Sequence, residues 1–426
     1  MFPKDMLIIG AGPKAVAVAV KAHVLRSSGY RAPEITIVES LAVGNNWRRT
    51  GGWTDGRQSL GTSPFKDIGF PYEADRIIAE RPVDAAMFEF SWGSYLGKTG
   101  QYAKWVDRGS PSPTHNEWAM YLEWALALTE TEVIFGDVIS IGRSFFGQFE
   151  IEVAHQGTVS SDSVMITGSG RGDELLASSC MSVPEFWAIR SKDESFTDRS
   201  VIIVGSGETA ASITRCIVER SRPSDLIIVS PTETIYSRGE SYLENSFFTD
   251  PSEWYKIGEA QRRHFIKRTD RAVFSQDVQS LISSQGVHRH IQGRVVGVES
   301  SPAGLVAEIR NAESGSSSTY IDTDFVIDAR GGNPLWFEEL LTGSLRSELE
   351  NCLGAPLTPQ AIESSIGYDL AVEGFPSKIF LPNLAAFRQG PGFPNLSSLG
   401  RLSDRVLSGL DAFSPQPELV ELGVST

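Results

Sequence analysis

Two glycine turns are the residues best placed to do chemistry. Gly10-Ala11-Gly12-Pro13-Lys14-Ala15 and Gly205-Ser206-Gly207-Glu208-Thr209-Ala210 both read G-x-G-x-x-A. In such a turn the first glycine permits the tight bend and the second lets a pyrophosphate approach backbone N–H groups. The alanine lets the helix pack close to its strand. After the first turn, "EITIVES" reads as a second strand ending in Glu39, spaced to place a carboxylate on a ribose 2'-hydroxyl. A free 2'-hydroxyl suits FAD or NAD rather than NADP. The strand after the second turn, near 226–229, ends in Ser230-Pro231 instead of an acid. A 2'-phosphate would not be repelled there, and Arg238 in the loop beyond could pair with it, which favours NADP(H); a solvated loop cation is the alternative. Lys14 is unusual, because a cation in a helix's first turn opposes the dipole unless an anion is near. The FAD pyrophosphate is the expected anion.

The elements that must position these turns repeat. A short apolar strand precedes each turn, at 6–9 and 201–204, and a helix follows each. "DSVMITGSG" and "TDFVIDARGG" are two further apolar strands running into glycine turns, and their continuous apolar character suits strands buried on both faces of a parallel sheet. In two-dinucleotide flavoproteins such strands carry the chain out of the FAD domain and back. The expected fold is therefore α/β, with two Rossmann-like dinucleotide-binding domains, the NADPH domain inserted into the FAD domain, and a small substrate region. Residues 1–167 form the first part of the FAD-binding domain, and 168–325 the NADPH-binding domain with a substrate loop at 237–250. Residues 326–426 form the return segment of the FAD domain and the substrate region.

Composition narrows the function. With 426 residues, 38 Lys+Arg against 53 Asp+Glu and a net charge of -15, the chain has no cation excess for nucleic acid or an anionic membrane surface. Cys180, Cys216 and Cys352 are widely spaced, with no C-x-x-C pair, against a disulfide framework, a thiol redox centre or a zinc site. No apolar run reaches the roughly 20 residues of a spanning helix, and only "MFPKD" precedes the first strand, so the expected location is cytoplasmic. The six histidines show no metal spacing; His288 and His290 are expected to alternate on a strand and His115 to start a helix. Trp118, Tyr121 and Trp124 read as a core stripe.

The string "ESLAVGNNW", with Glu39, Gly44 and Trp47, resembles the acid-glycine-tryptophan run of flavin-dependent monooxygenases that hold NADPH in a separate domain; the family's second glycine is Asn45 here. The Baeyer-Villiger string F-x-G-x-x-x-H-x-x-x-W is absent. "SPFKDIGFP", "PTHNEWAMYLEWA", "ESYLENSFF" and "FPNLSSL" resemble, in order, motifs of the N-hydroxylating monooxygenases that oxidise the side-chain amine of lysine or ornithine. "GGWTDGRQSLGTSPFKDIGFPY" is most similar to the lysine N6-monooxygenases of mycobactin-type siderophore pathways.

This resemblance implies bound FAD, exchanging NADPH, O2 as co-substrate and a C4a-hydroperoxyflavin that converts an amino acid amine, L-lysine first, to its N6-hydroxy form for a hydroxamate siderophore or related product. By position, Lys66, Asn245 and Ser398 match the family's substrate-contacting residues; Lys66 would hold the carboxylate and Asn245 the polar head. Read from the residues alone, Lys66 could be a solvated loop cation, Asn245 a turn former and Ser398 a helix cap. Two departures stand out: the family's flavin-side glutamine falls on Gly61, with Gln58 nearby, and its A-T-G-Y string is Ala329-Arg330-Gly331-Gly332, with Asn333 following. The amine must be neutral to react, although a lysine amine has a pKa near 10.4, and no dedicated base is identified. Ornithine differs from lysine by one methylene, worth about 1–3 kcal/mol in a pocket. An ornithine enzyme, an NADPH oxidase or Baeyer-Villiger-like flavoenzyme, and a non-catalytic nucleotide-binding protein are the alternatives. A homo-oligomer is compatible with this reading.

Overall fold

In the computed structural model, residues 5–48, 53–74, 82–168, 174–189, 196–239, 241–269, 273–285, 288–302, 304–311 and 317–414 are described. Strand β1 (Met6–Ile9) enters the first glycine turn, helix α1 (Pro13–Ser27) leaves it, and β2 (Ile35–Glu39) returns parallel to β1. Pro13 sits at the helix start, where its fixed φ is preorganised and its missing N–H costs nothing. Helix α2 (His115–Ala127) leads to β3 (Glu132–Phe135), parallel to β2. An antiparallel meander of β4 (Val138–Arg143), β5 (Phe149–Val153) and β6 (Gly157–Ser161) then delivers β7 (Ser163–Ile166) to the other side of β1.

The second glycine turn rebuilds this plan. Strand β8 (Ser200–Val204), helix α3 (Glu208–Arg220) and β9 (Asp225–Ser230) surround the turn; helix α4 (Tyr242–Thr249) follows, and β10 (His288–Gln292) joins parallel to β9. A second meander, β11 (Arg294–Ser301), β12 (Gly304–Arg310) and β13 (Ser318–Thr323), delivers β14 (Phe325–Asp328) to the far side of β8. Late in the chain come β15 (Lys378–Phe380) and helix α5 (Leu399–Ser408). The parallel sheets are ordered β15-β7-β1-β2-β3 and β10-β9-β8-β14.

This corrects one expectation. The strand in "TDFVIDARGG" does not return the chain to the first sheet; it takes the place in the second sheet that β7 takes in the first, and β15 makes the return. An apolar run reports burial on both faces but not which parallel sheet supplies it. The second sheet is nonetheless built between the fourth and fifth strands that the chain contributes to the first.

Alternation divides the second sheet's residues between two cores. Val201, Ile203, Leu226, Ile228 and Ile327 pack with α3, while Ile202, Val204, Ile227, Val229 and Val326 pack with the meander. In the first unit α1 is buried along nearly its whole length between sheet and α5, which its run of Ala and Val permits by close approach. Trp118 and Tyr121 are fully buried and Trp124 packs against them, with Trp92 and Tyr95 alongside, so the stripe is core.

Candidate active site

The first turn has the shape of a pyrophosphate cradle. Gly10 has φ 93°, and Thr167 sits behind it, its hydroxyl donating to the Ile9 and Gly10 carbonyls at 2.8 and 3.1 Å. A Cβ on Gly12 would meet nothing within 4 Å, so the front of the turn is open to a ligand. Glu39 holds the turn directly: its Oε2 accepts the Ala11 N–H at 2.8 Å, and its Oε1 accepts from Leu41 N at 3.1 Å and Ser40 Oγ at 3.2 Å. Behind the turn Gly44, at φ 65°, donates its N–H to Ala11 O and starts the turn bearing Trp47. The Trp47 ring packs edge-on against His115 and Trp53 at 4.8 and 5.4 Å.

His115 starts α2, as expected. Thr114 caps that helix with a reciprocal box: Glu117 N donates to Thr114 Oγ1 at 3.2 Å and Thr114 N to Glu117 Oε2 at 2.7 Å. Burial pushes the His115 pKa down to about 4. His290 lies on β10 as expected, its ring within 2.8 Å of Ser230 Oγ.

The second turn fits a second dinucleotide. Gly205 has φ 123°, and a side chain there would collide with the Ala329 carbonyl, so the A-R-G-G string lies against this turn. Gly207 is as open as Gly12. Ser206 Oγ is buried and makes no hydrogen bond among the described residues, which suits a ligand oxygen there. Ala210, in the first turn of α3, is fully buried, as the motif requires for close helix packing, and Thr209 lies beside it. Arg238 is not a solvated cation: it pairs with Glu208. A Cβ on Gly61 would lie 3.8 Å from both Glu208 carboxylate oxygens and 3.9 Å from Arg238 Cζ. The loop of the first unit therefore rests on the second turn, and any longer side chain at position 61 would point into that ion pair. Gln58 is buried, its carbonyl accepting the His115 N–H. Asn333 is exposed, and its side-chain Oδ1 accepts the Leu335 N–H at 2.8 Å.

Residues expected to touch substrate come together through one segment. Ser398 is the first residue before α5, but its hydroxyl caps nothing; it reaches Thr249 O at 3.4 Å, at the end of the helix that carries Asn245. Gly400 N donates to Phe70 O at 2.8 Å, on the turn that carries Lys66, and Gly400 has no room for a side chain against Gly69 O. Arg401 pairs with Glu73 and lies 3.7 Å from Asp250. Thus 398–401 joins the Lys66 turn to the Asn245 helix. The Asn245 side chain is half-buried and has no protein partner among the described residues.

Lys66 is half-buried, with its ammonium 5.8 Å from the Phe70 ring centroid and no carboxylate partner among the described residues. Burial pushes its pKa down. A desolvated cation without an anion is a receptive site for a carboxylate.

Sequence reasoning missed Asp67, although it sits next to Lys66 in the K-D string. Its buried carboxylate accepts from Trp92 N at 2.9 Å, Gly69 N at 3.2 Å and Tyr72 Oη at 2.6 Å, shaping the turn that presents Lys66. Desolvation pushes its pKa up to about 6. His115 and Asp67 oppose one another in acid. The folded state resists protonating His115, so that contribution is full above pH 6.5 and lost toward pH 4. It favours protonating Asp67, so that contribution grows as pH falls from 6 toward 4. Each is worth about 3 kcal/mol. Asp67→Asn is therefore expected to unmask a fall in melting temperature between pH 6.5 and 4 that the wild-type protein largely conceals, measured by thermal melts across that range.

Two open glycine turns on parallel sheets, one followed by an acid and the other by a serine, define a protein with two dinucleotide-binding modules. Comparison with known proteins gives the family. A family model described as L-lysine 6-monooxygenase/L-ornithine 5-monooxygenase matches residues 82–313. The chain is 43% identical over 409 residues to the L-lysine N6-monooxygenase MbtG of Mycobacterium sp. (strain MCS), covering 94% of each. It is 41% identical over 420 residues to MbtG of Mycobacterium tuberculosis (strain ATCC 25618 / H37Rv), covering 96% of this chain and 95% of that one. Lysine monooxygenase NbtG from Nocardia farcinica superposes with a TM-score of 0.84 at 43% identity, covering 95% of this chain and 99% of NbtG. Ornithine hydroxylase PvdA from Pseudomonas aeruginosa shares the fold at 16% identity, with a TM-score of 0.72 and coverage of 96% and 99%. The chain belongs to the lysine/ornithine N-monooxygenase family.

Proposed function

We propose that this protein is a FAD- and NADPH-dependent monooxygenase that converts L-lysine, O2 and NADPH to N6-hydroxylysine, water and NADP, for a hydroxamate siderophore or a related product. The observation that carries this reading is the half-buried ammonium of Lys66, without a carboxylate partner among the described residues, on a turn joined through 398–401 to the Asn245 helix. Lysine rather than ornithine is supported by the relatives at 41–43% identity, all lysine enzymes.

The Gly10 turn and Glu39 would hold FAD, and the Gly205 turn with Ser206 would hold NADPH. When bound, reduced FAD supplies activated oxygen to the amine. The chain's own part is to bind and orient. Lys66 accepts the substrate carboxylate, and Asn245 and Ser398 offer a side-chain amide and a hydroxyl to its polar head. Purified protein incubated with NADPH and lysine, ornithine or no amine tests this. Hydroxylamine formed fastest from lysine is the expected result; NADPH consumption yielding only peroxide with every amine would reject it.

Arg238 would turn from Glu208 to the 2'-phosphate of NADPH. Arg238→Ala is then expected to raise KM for NADPH by about 10-fold or more while leaving KM for NADH nearly unchanged. Equal effects on both nucleotides in initial-rate assays would assign Arg238 to Glu208 alone.

A further inference from the structure

Lys14 and Lys21 stand seven residues apart on α1. Seven residues are about two helical turns, so both project from one face. That face lies on the C-terminal segment. Lys14 Nζ donates to the Pro394 carbonyl at 2.6 Å. Lys21 Nζ lies 2.8 Å from Asp404 Oδ1, with side chains only 1% and 5% exposed, as a charge contact rather than a well-aligned hydrogen bond. Pro394 and Asp404 bracket Ser398 and the Gly400 contact to the Lys66 turn.

We propose that Lys14 and Lys21 are positioning residues, a two-point clamp that fixes residues 394–404, and Ser398 with them, against the helix that begins at the FAD turn. Three observations carry this. A lysine in the first turn of α1 opposes the helix dipole, yet its ammonium reaches a carbonyl 380 residues further along the chain. A buried Lys–Asp pair gives little net stability over an apolar pair of similar volume, so what it contributes is a fixed geometry. The two contacts fall on the two flanks of the segment, at Pro394 and Asp404, and Ser398 reaches Thr249 O between them. Loosening the clamp shifts the substrate-side groups relative to the flavin, and a displacement of about 1 Å can lower a rate about 100-fold. This inference rests on the monooxygenase reading for the role of Ser398, but the clamp itself is a structural claim.

The test uses holoenzyme reconstituted with FAD, comparing wild type, Lys14→Met and Lys14→Arg. Three quantities are read: FAD retained after gel filtration, hydrogen exchange of the amides in 395–404, and hydroxylysine formed per NADPH consumed. Lys14→Met is expected to retain FAD and its melting temperature, to exchange those amides about 10-fold faster, and to lose about 10-fold in hydroxylysine per NADPH. Lys14→Arg, which keeps a donor of similar reach, should restore both. Loss of FAD with unchanged exchange would overturn the clamp and give Lys14 to the pyrophosphate. Unchanged exchange and unchanged yield would overturn it outright. If the wild-type protein forms no hydroxylamine, the monooxygenase reading fails while the exchange measurement still decides the clamp.

Discussion

Lys66→Met should cost between about 10- and 150-fold in kcat/KM for lysine, the worth of a hydrogen bond to a charged group. Met has a stem of similar length, so the loss isolates the ammonium from the packing of the side chain against Phe70. The carboxylate is remote from the reacting amine and is held equally in ground and transition states, so most of the loss should fall on KM. NADPH oxidation should continue, with peroxide replacing hydroxylysine as the amine is held less often. Stability should move the other way. Burial disfavours the Lys66 ammonium and no carboxylate among the described residues offsets it, so its removal should raise the melting temperature. Steady-state kinetics with lysine and a thermal melt check both halves; unchanged KM would remove Lys66 from substrate binding.

The second large effect lies at the Lys21–Asp404 pair. Lys21→Met leaves a buried carboxylate alone and should cost about 3–5 kcal/mol of unfolding free energy. The double variant Lys21→Met, Asp404→Leu should recover most of that, because an apolar pair of similar volume replaces two desolvated charges. Burial raises the Asp404 pKa, and Lys21 is the main group opposing that rise, ahead of Arg401. The single variant should therefore regain stability as pH falls and the carboxyl takes up a proton, and lose it as pH rises. Urea unfolding at two pH values measures all four corners of the cycle. Equal losses in the single and double variants would mean that α1 and α5 are held by packing alone.

Both glycine turns were readable from the sequence, because backbone at positive φ and close helix packing leave residue-type marks at fixed spacing. Gly10, Gly205, Ala15 and Ala210 are where those marks require them. The start of α2 at His115 was equally plain, whereas its Thr114–Glu117 capping box came from the structure. Strand β14 shows the limit: its three apolar positions, Phe325, Val326 and Ile327, signalled burial in a sheet, but the two parallel sheets offer the same environment, and only pairing with β8 distinguishes them. Arg238 marks another limit. Its charge was visible and its partner Glu208, thirty positions earlier, was not.

By itself, then, the sequence determined what local chemistry encodes: two dinucleotide turns, the acid after one and its absence after the other, and the strings that place Lys66, Asn245 and Ser398. The tertiary structure alone decided what depends on contacts between distant segments. It brought Ser398 between the Asn245 helix and the Lys66 turn, put Gly61 against the second glycine turn, and joined Lys14 and Lys21 to a segment nearly the whole chain away. Turn and helix signals persist in sequence because their interactions span a few residues. A lysine carries no mark of which remote carbonyl or carboxylate it will meet until the fold has closed around it.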